Sequence, residues 1–407
     1  MRKTTVLLAF CVGGLLAGCG GGGGGSLQTT PLPSRLLSVT GAGATTNFNF
    51  DISTVIGSRY FFTDRTNAAV DVFDTASGTQ LAQIKGTGAN AFAGQGKDNS
   101  TSGPDGINAV GSLVYAGDVN SVKIIDPSSY TITKTITVGT QGVRADEACV
   151  DPVHGYYYIA TPEASPPFVS VINTQTQTLV ATVTFNDLAA NASAGLEACD
   201  YDVAADTLYI NNDGTTANPH GELDVIPGAS LRAIAMGATV NYTTLAGVQM
   251  YAEGNCDPTG LALGPGSDVA VNCREGTAGS PLLVEIFNRN TGVLVASLNA
   301  GGGDQLAYVP DQNRYYSAAS RWTANGLSSG SSCEPGTVPL CTPRLITIDA
   351  ASHTVLAMVA TGNNAHSVAV DPNTGFAFLP VSSDKAPAGC IDCNVGSAGV
   401  RTFNTKY

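Results

Sequence analysis

The stretch His366-Ser-Val-Ala-Val-Asp-Pro372, followed after a short turn by Phe376-Ala-Phe-Leu-Pro380, decides how the rest of the chain is read. Small and apolar residues flank an Asp-Pro turn, which predicts two short strands folded back on one another. The phrase recurs upstream. Glu147-Ala-Cys-Val-Asp-Pro152 leads into Tyr156-Tyr-Tyr-Ile-Ala-Thr161, and Glu197-Ala-Cys-Asp-Tyr-Asp202 leads into Thr207-Leu-Tyr-Ile-Asn-Asn212. Each unit continues with a third segment, such as Val122-Lys-Ile-Ile-Asp-Pro127 or Leu345-Ile-Thr-Ile-Asp349. A fourth follows, such as Thr133-Lys-Thr-Ile-Thr-Val-Gly139 or Thr354-Val-Leu-Ala-Met-Val-Ala-Thr-Gly362.

Four strands separated by Asp, Asn, Gly and Pro turns, repeating every roughly forty to sixty residues, are the signature of propeller blades. Units begin near Asp51, Asp105, Asp146, Glu197, Thr259, Asp304 and His366. The expected fold is therefore an all-β, seven-bladed β-propeller over residues 35–407. The last unit has only three strands, ending at Val400-Arg-Thr-Phe-Asn404, while Arg35-Leu-Leu-Ser-Val-Thr-Gly41 stands alone before the first. Residues 35–40 are expected to supply the missing outer strand and close the ring. A pair of separate β-sandwiches would need a linker in mid-chain, and none is present. Tyr115-Ala-Gly-Asp118, Tyr158-Ile-Ala-Thr161 and Tyr209-Ile-Asn-Asn212 resemble the name-giving motif of the YVTN-repeat bacterial propellers. That likeness implies a fold rather than an activity.

The start of the chain reads differently. Arg2 and Lys3 precede an apolar run from Val6 to Leu16, which closes on Leu16-Ala17-Gly18-Cys19. Charge, a short apolar stretch and small residues make an export signal, too short to span a bilayer. The last four residues resemble the lipobox of bacterial lipoproteins. The resemblance implies residues 1–18 as a signal peptide, cleavage before Cys19, and acyl chains such as palmitate on Cys19. Gly20 at the following position resembles the sorting pattern for the outer membrane. The six glycines from Gly20 to Gly25 and the prolines Pro31 and Pro33 make residues 19–34 a tether with nothing to bury.

Charged residues are only 13% of the chain and the net charge is −13. Loss of residues 1–18 would remove two basic residues and no acid. Such a surface excludes nucleic acid as a partner, because phosphate binding needs basic patches, and favours cations or basic surfaces. Of ten cysteines, Cys11 falls in the signal and Cys19 at the lipid site. The other eight form an even set in an exported chain, so disulfides are expected. Candidate pairs are Cys333 with Cys341, Cys390 with Cys393, Cys256 with Cys273, and Cys149 with Cys199, the last because both open equivalent strands of neighbouring blades. Zinc at Cys390 and Cys393 lacks a second ligand pair.

Aligned by blade, the residues opening the innermost strands are Asp51, Asp105, Asp146 or Glu147, Glu197, Asp304 and His366. Blade five offers Thr259, with Asp257 two residues earlier. These positions ring the channel mouth, and loops carrying Asp64, Asp118, Asp213, Asp384, Arg274 and Arg321 emerge on the same face. Carboxylates crowded together repel unless water, a cation or a basic group offsets them. Calcium favours six to eight oxygen ligands, so a metal reading takes Asp105, Glu197 and Asp304 as ligands. A water-filled channel lined by turn-forming Asp explains the same ring without a ligand. The ring resembles the single-metal channel of the gluconolactonase and senescence-marker propellers, but their acid and asparagine set is not matched here. The paired histidines of streptogramin-lyase-like propellers are missing, since His154, His220 and His353 fall on distant turns. No His-Glu-x-x-His pair or Walker loop is present. Trp322, beside Arg321 in a blade-six insertion, reads equally as an exposed binding aromatic or a buried one.

Three functions fit. The first is a non-enzymatic, membrane-anchored binding propeller of the cell envelope, its acidic mouth meeting a protein, glycan or cation. The second is a calcium-dependent hydrolase or lactonase at the mouth, and the third a structural envelope role.

Overall fold

The structure, a computed structural model, describes residues 32–43, 48–187, 195–273, 279–323, 325–328, 342–382 and 398–406. Seven sheets stand around one axis. Blade one shows the plan, with antiparallel strands Phe50–Ile56, Arg59–Asp64, Ala69–Asp74 and Gln80–Ile84 running from the axis outward. The innermost strands of the other blades are Ile107–Val110, Ala148–Asp151, Leu196–Asp202, Pro258–Leu263, Leu306–Val309 and Ala369–Val370. They adjoin one another around the axis, and blade seven meets blade one.

Local chemistry explains the blade. The turn between the third and fourth strands opens with Asp74, Asp126, Asn173, Asn288 or Asp349. Each side chain accepts a backbone N–H two or three residues on, at 2.7–3.1 Å. Such side-chain caps reproduce a backbone turn and stop the strand. The turn then passes through a left-handed residue: Gly78, Tyr130, Gln177, Gly292 or His353. A bulge follows at the same place in these blades, for example between Val72 and Phe73 and between Ile124 and Ile125. Bulges increase twist, which lets flat hairpins fan around an axis.

Strand alternation gives every blade two apolar faces, so the core is divided into seven slabs between neighbouring blades. Phe61, Val72, Ile107 and Val114 fill the slab between blades one and two. Tyr158, Val171, Leu208 and Tyr242 fill that between blades three and four. The slab between blades seven and one holds Leu37, Phe50, Tyr60 and Phe378.

Blade seven is completed by the N-terminal strand, as expected, but the strand is Leu32–Leu37 rather than 35–40. It pairs antiparallel with Gly399–Asn404, from Leu32 against Asn404 to Leu37 against Val400, with an irregularity between Pro33 and Leu36. Proline lacks an N–H and is tolerated on a sheet edge, so Pro33 starts this strand instead of ending the tether. Blade three also gains an unforeseen fifth strand. Thr239–Asn241, from an insertion of blade four that holds the helix Gly228–Arg232, runs parallel to Thr178–Thr184.

Candidate functional site

Each innermost strand begins, and each second strand ends, on one face of the ring, so the repeat itself delivers polar side chains to the channel mouth. The structure brings Asp51, Asp105, Asp146, Glu147, Glu197, Asp304 and His366 together there, in three sets that share members. Asp51, Asp105 and Asp146 offer carboxylate oxygens within 4.8 Å of one another. So do Glu147, Glu197 and Asp304, one each from blades three, four and six.

The first set is filled by arginines that the blade alignment does not reveal. Buried Arg65 reaches Asp51 at 2.8 Å and gives Nε to Asp105 Oδ1 at 2.8 Å. Arg144 contacts Asp146 at 2.8 Å, Glu163 at 3.0 Å and Asp51 at 4.0 Å. Burial would raise the Asp51 carboxyl, but Arg65, the His366 ring and Arg144 outweigh it and hold Asp51 well below the usual range. For Asp105 burial prevails over the pull of Arg65 and, with the Asp51 charge, pushes it up to about 8. One guanidinium serves both acids. Asp51 keeps the charge, and Asp105 takes the proton. Asp146 is likewise raised, by burial first, against Arg144. Arginines occupy the acids of this half of the ring, so Asp105 is bound to Arg65 and is no longer a fitting metal ligand.

The second set is different. Glu147 lies deep in the channel with part of its surface facing water. Burial, then the charges of Asp304 and Glu197, push its carboxyl well up despite Arg144. His366, 8% exposed, stacks on Phe50 with ring centroids 4.7 Å apart. Its Nδ1 donates to the Asn364 carbonyl at 2.7 Å, and Nε2 stands 3.5 Å from Asp51 Oδ1. Asp51, Asp304 and His366 also offer ligand atoms within 4.8 Å, so Asp304 belongs to two of the sets. A histidine fixed through one nitrogen by a carbonyl presents the other in a set orientation, as metal-binding histidines do. The all-carboxylate set of Glu147, Glu197 and Asp304 fits a hard divalent cation, which takes oxygen ligands, better than it fits zinc.

Below the mouth the channel is a narrow polar cavity of about 110 Å³, walled by Ser53, Asn108, Glu147 and Gln305 among others. It adjoins a wider recess of about 390 Å³ on the opposite face, beside Asp200 and Tyr308. The Cys149–Cys199 disulfide lines that recess and joins the inner strands of blades three and four. A second disulfide, Cys256–Cys273, lies within blade five. Cys333, Cys341, Cys390 and Cys393 fall outside the described residues, as do Cys19, Arg274 and Asp384.

Other expected members sit elsewhere. Asp257 precedes the blade-five strand and faces His220 at 3.4 Å, outside these sets. Thr259 fills the ring position, donating to the Gly303 carbonyl at 2.8 Å. Asp64, Asp118 and Asp213 are buried beneath the mouth rather than displayed on it. Trp322 is buried at 8% exposure, which removes it as a binding aromatic. His154 pairs with Asp151 and His353 with Asp268, both far from the channel.

These features define a class, the seven-bladed β-propellers. No family model and no curated protein sequence matches the chain. Solved structures do. A hydrazine synthase structure from Kuenenia stuttgartiensis aligns with a TM-score of 0.59 at 17% identity, covering 87% of this chain and 96% of that one. A mitotic checkpoint complex chain gives 0.58 at 13%, covering 98% and 100%. The WD40 repeats of RRP9 give 0.58 at 12%, covering 91% and 99%. At such identities the likeness establishes the fold and no particular activity.

Proposed function

We propose that this chain is a lipid-anchored protein of the bacterial cell envelope that acts as a non-enzymatic binding propeller and receives a cationic group at its channel mouth. The observation that carries the reading is the convergence of Glu147, Glu197 and Asp304 from three blades, with ligand oxygens within 4.8 Å. Like charges gathered from separate blades raise the energy of the empty mouth, and a cation recovers it. The lipobox-like segment ending at Cys19 supports the anchor, and the net charge of −13 supports a basic or cationic partner.

Calcium is the test ligand. A ligand that binds only the folded state stabilises it by RT ln(1 + [L]/Kd), about 2.7 kcal/mol at a hundredfold excess over Kd. Calcium should raise Tm beyond a sodium control of equal ionic strength, and Glu197→Gln should shrink the rise. Equal Tm in the two salts would refute the cation reading. Cys19→Ser should abolish fatty-acid labelling and release the protein from membranes; unlabelled protein that stays in the membrane fraction would refute the anchor.

A second reading is favoured by His366, the fixed ring beside Asp304, the two offering ligand atoms within 4.8 Å. In a metal-dependent hydrolase or lactonase, those groups would hold the ion, and hydrolysis of a lactone would disappear with chelation. A purely structural envelope role predicts instead that neutralising the three carboxylates changes no binding.

A further inference from the structure

The segment that closes the ring is fastened to blade one by a small polar network, and the network rests on two buried acids. Just past the closing strand, Thr40 gives its N–H and hydroxyl to Gln80 Oε1 at 3.0 and 2.8 Å. Its carbonyl accepts from Asn67 Nδ2 at 3.1 Å and Gln83 Nε2 at 3.0 Å. The same three amides reach inward. Gln80 and Gln83 donate to Asp71 Oδ1 at 2.5 and 3.1 Å. Asn67 donates its backbone N–H to Asp64 Oδ1 at 2.8 Å and its amide to Asp64 Oδ2 at 2.6 Å.

Asp64 and Asp71 are both 0% exposed, and their carboxyl groups lie within hydrogen-bonding reach of each other. A bond between two carboxyl groups needs a proton on one of them. The donors settle which. Both Asp64 oxygens are supplied by Asn67, whereas Asp71 Oδ2 is buried with no donor facing it. The proton therefore belongs on Asp71 Oδ2 and is given to Asp64. Blade two supplies an internal comparison. Its equivalent positions, the last residue of the second strand and the third of the third, are Asp118 and Lys123, an ion pair at 3.6 Å. In blade one an acid replaces the lysine, so a proton must do the work of the ammonium. The other ionisable groups facing the pair are Lys85, whose charge acts on Asp64, and buried Tyr60, whose hydroxyl is raised by burial and by Asp71. Neither supplies the missing donor.

We propose that one proton shared by Asp64 and Asp71 latches the ring-closing segment onto blade one, so that closure loosens as the pH rises. Burial raises both carboxyls above their ordinary range, and the Asp64 charge raises Asp71 further. The closed state thus binds a proton that the solvated pair releases. Closure is fully stabilised below the ordinary carboxylate value, weakens as pH climbs, and levels off once the closed pair itself ionises.

Hydrogen exchange of residues 35–41 in the full chain, corrected for intrinsic exchange, tests this. The opening equilibrium of the wild-type segment should rise by up to about tenfold per pH unit from about pH 4 upward. Amides of Leu196–Asp202 in blade four serve as the reference. Asp71→Asn keeps a donor toward Asp64 without an ionisable proton, so it should flatten the slope at residues 35–41 and leave the reference slope unchanged. Asp64→Asn removes the like-charge pair from the other side and should flatten it too, which keeps the test open if one variant fails to fold. A closing segment whose pH slope in either folded variant matches the wild type would overturn the latch.

Discussion

Replacing Arg65 with methionine is the sharpest test of how the channel mouth is held together. Arg65 is 2% exposed and bridges Asp51 and Asp105, so its removal leaves two buried acids without their shared cation. The two losses are unequal. Asp105 already tends toward the neutral acid, pushed up to about 8 even with Arg65 beside it, and simply keeps its proton. Asp51, held ionised chiefly by Arg65, bears the cost. Removing one partner of a buried pair costs about 3–5 kcal/mol, and a single such penalty applies here. With an unfolding entropy of about 2.1 cal/mol/K per residue over a ring of this size, that converts to a Tm lower by roughly 4–7 °C. The sign with pH follows from Asp51. In the wild type its lowered value contributes stability that is present above its ordinary range and lost as pH falls through the depressed one. In Arg65→Met that contribution is gone, and Asp51 can take up a proton in mild acid. The gap between variant and wild type should therefore narrow from neutral pH toward about pH 4. Adding Asp51→Asn should recover much of the loss, since no buried charge is then left unpaired. Scanning calorimetry at two pH values reads all three. A Tm within about 1 °C of wild type at neutral pH, or a deficit that does not change with pH, would refute the reasoning.

Chains beginning at residue 31 and at residue 42 should differ sharply in thermal unfolding, because the shorter one loses Leu37 and Val39, each 6% exposed, and the edge paired with Gly399–Asn404. At about 1.5–3 kcal/mol for each buried side chain the loss is roughly 3–6 kcal/mol, and equal Tm values would contradict closure by this strand. Cys149→Ala with Cys199→Ala opens a loop of sequence separation 50 and should cost about 2–5 kcal/mol in denaturant unfolding, a loss that reduction of the wild type should reproduce in part. Peptide mapping under non-reducing conditions that finds Cys149 and Cys199 free would overturn that pairing.

The ring was readable because a propeller writes its fold many times over. Asp74, Asp126 and Asp349 stop equivalent strands by the same side-chain bond, so the repeat survives even where the apolar residues drift. The disulfide between Cys149 and Cys199 was readable for the same reason, as two residues in one register on neighbouring blades. What alignment by register misses is anything used once. Arg65 shares its column, directly after the second strand, with Arg274 alone, and Arg144 has no counterpart, yet Arg65 and Arg144 decide which half of the acidic ring is neutralised. A sign was available: in so acidic a chain, a basic residue directly after Asp64 or two before Asp146 is worth asking about. Asp257 misled because its backbone turns left-handed, at a φ of 47°, and its side chain points to His220 instead of the channel. The fifth strand of blade three comes from an insertion with no counterpart, and no repeat could have announced it.

If Cys19 carries a lipid, as proposed, the closing strand also sets which way the molecule faces. It begins at Leu32 beside Asn404, next to the turn through Gly375, and ends at Leu37 on the way to Asp51. The chain thus enters the ring on the side opposite the acidic mouth. Twelve residues lie between Cys19 and Leu32, so the chain between them reaches at most about 45 Å at some 3.5 Å for each step. A lipid on Cys19 would hold the ring within that distance of the bilayer by its rear face. The carboxylates of Glu147, Glu197 and Asp304 would then look outward, like a bowl set on a short stem.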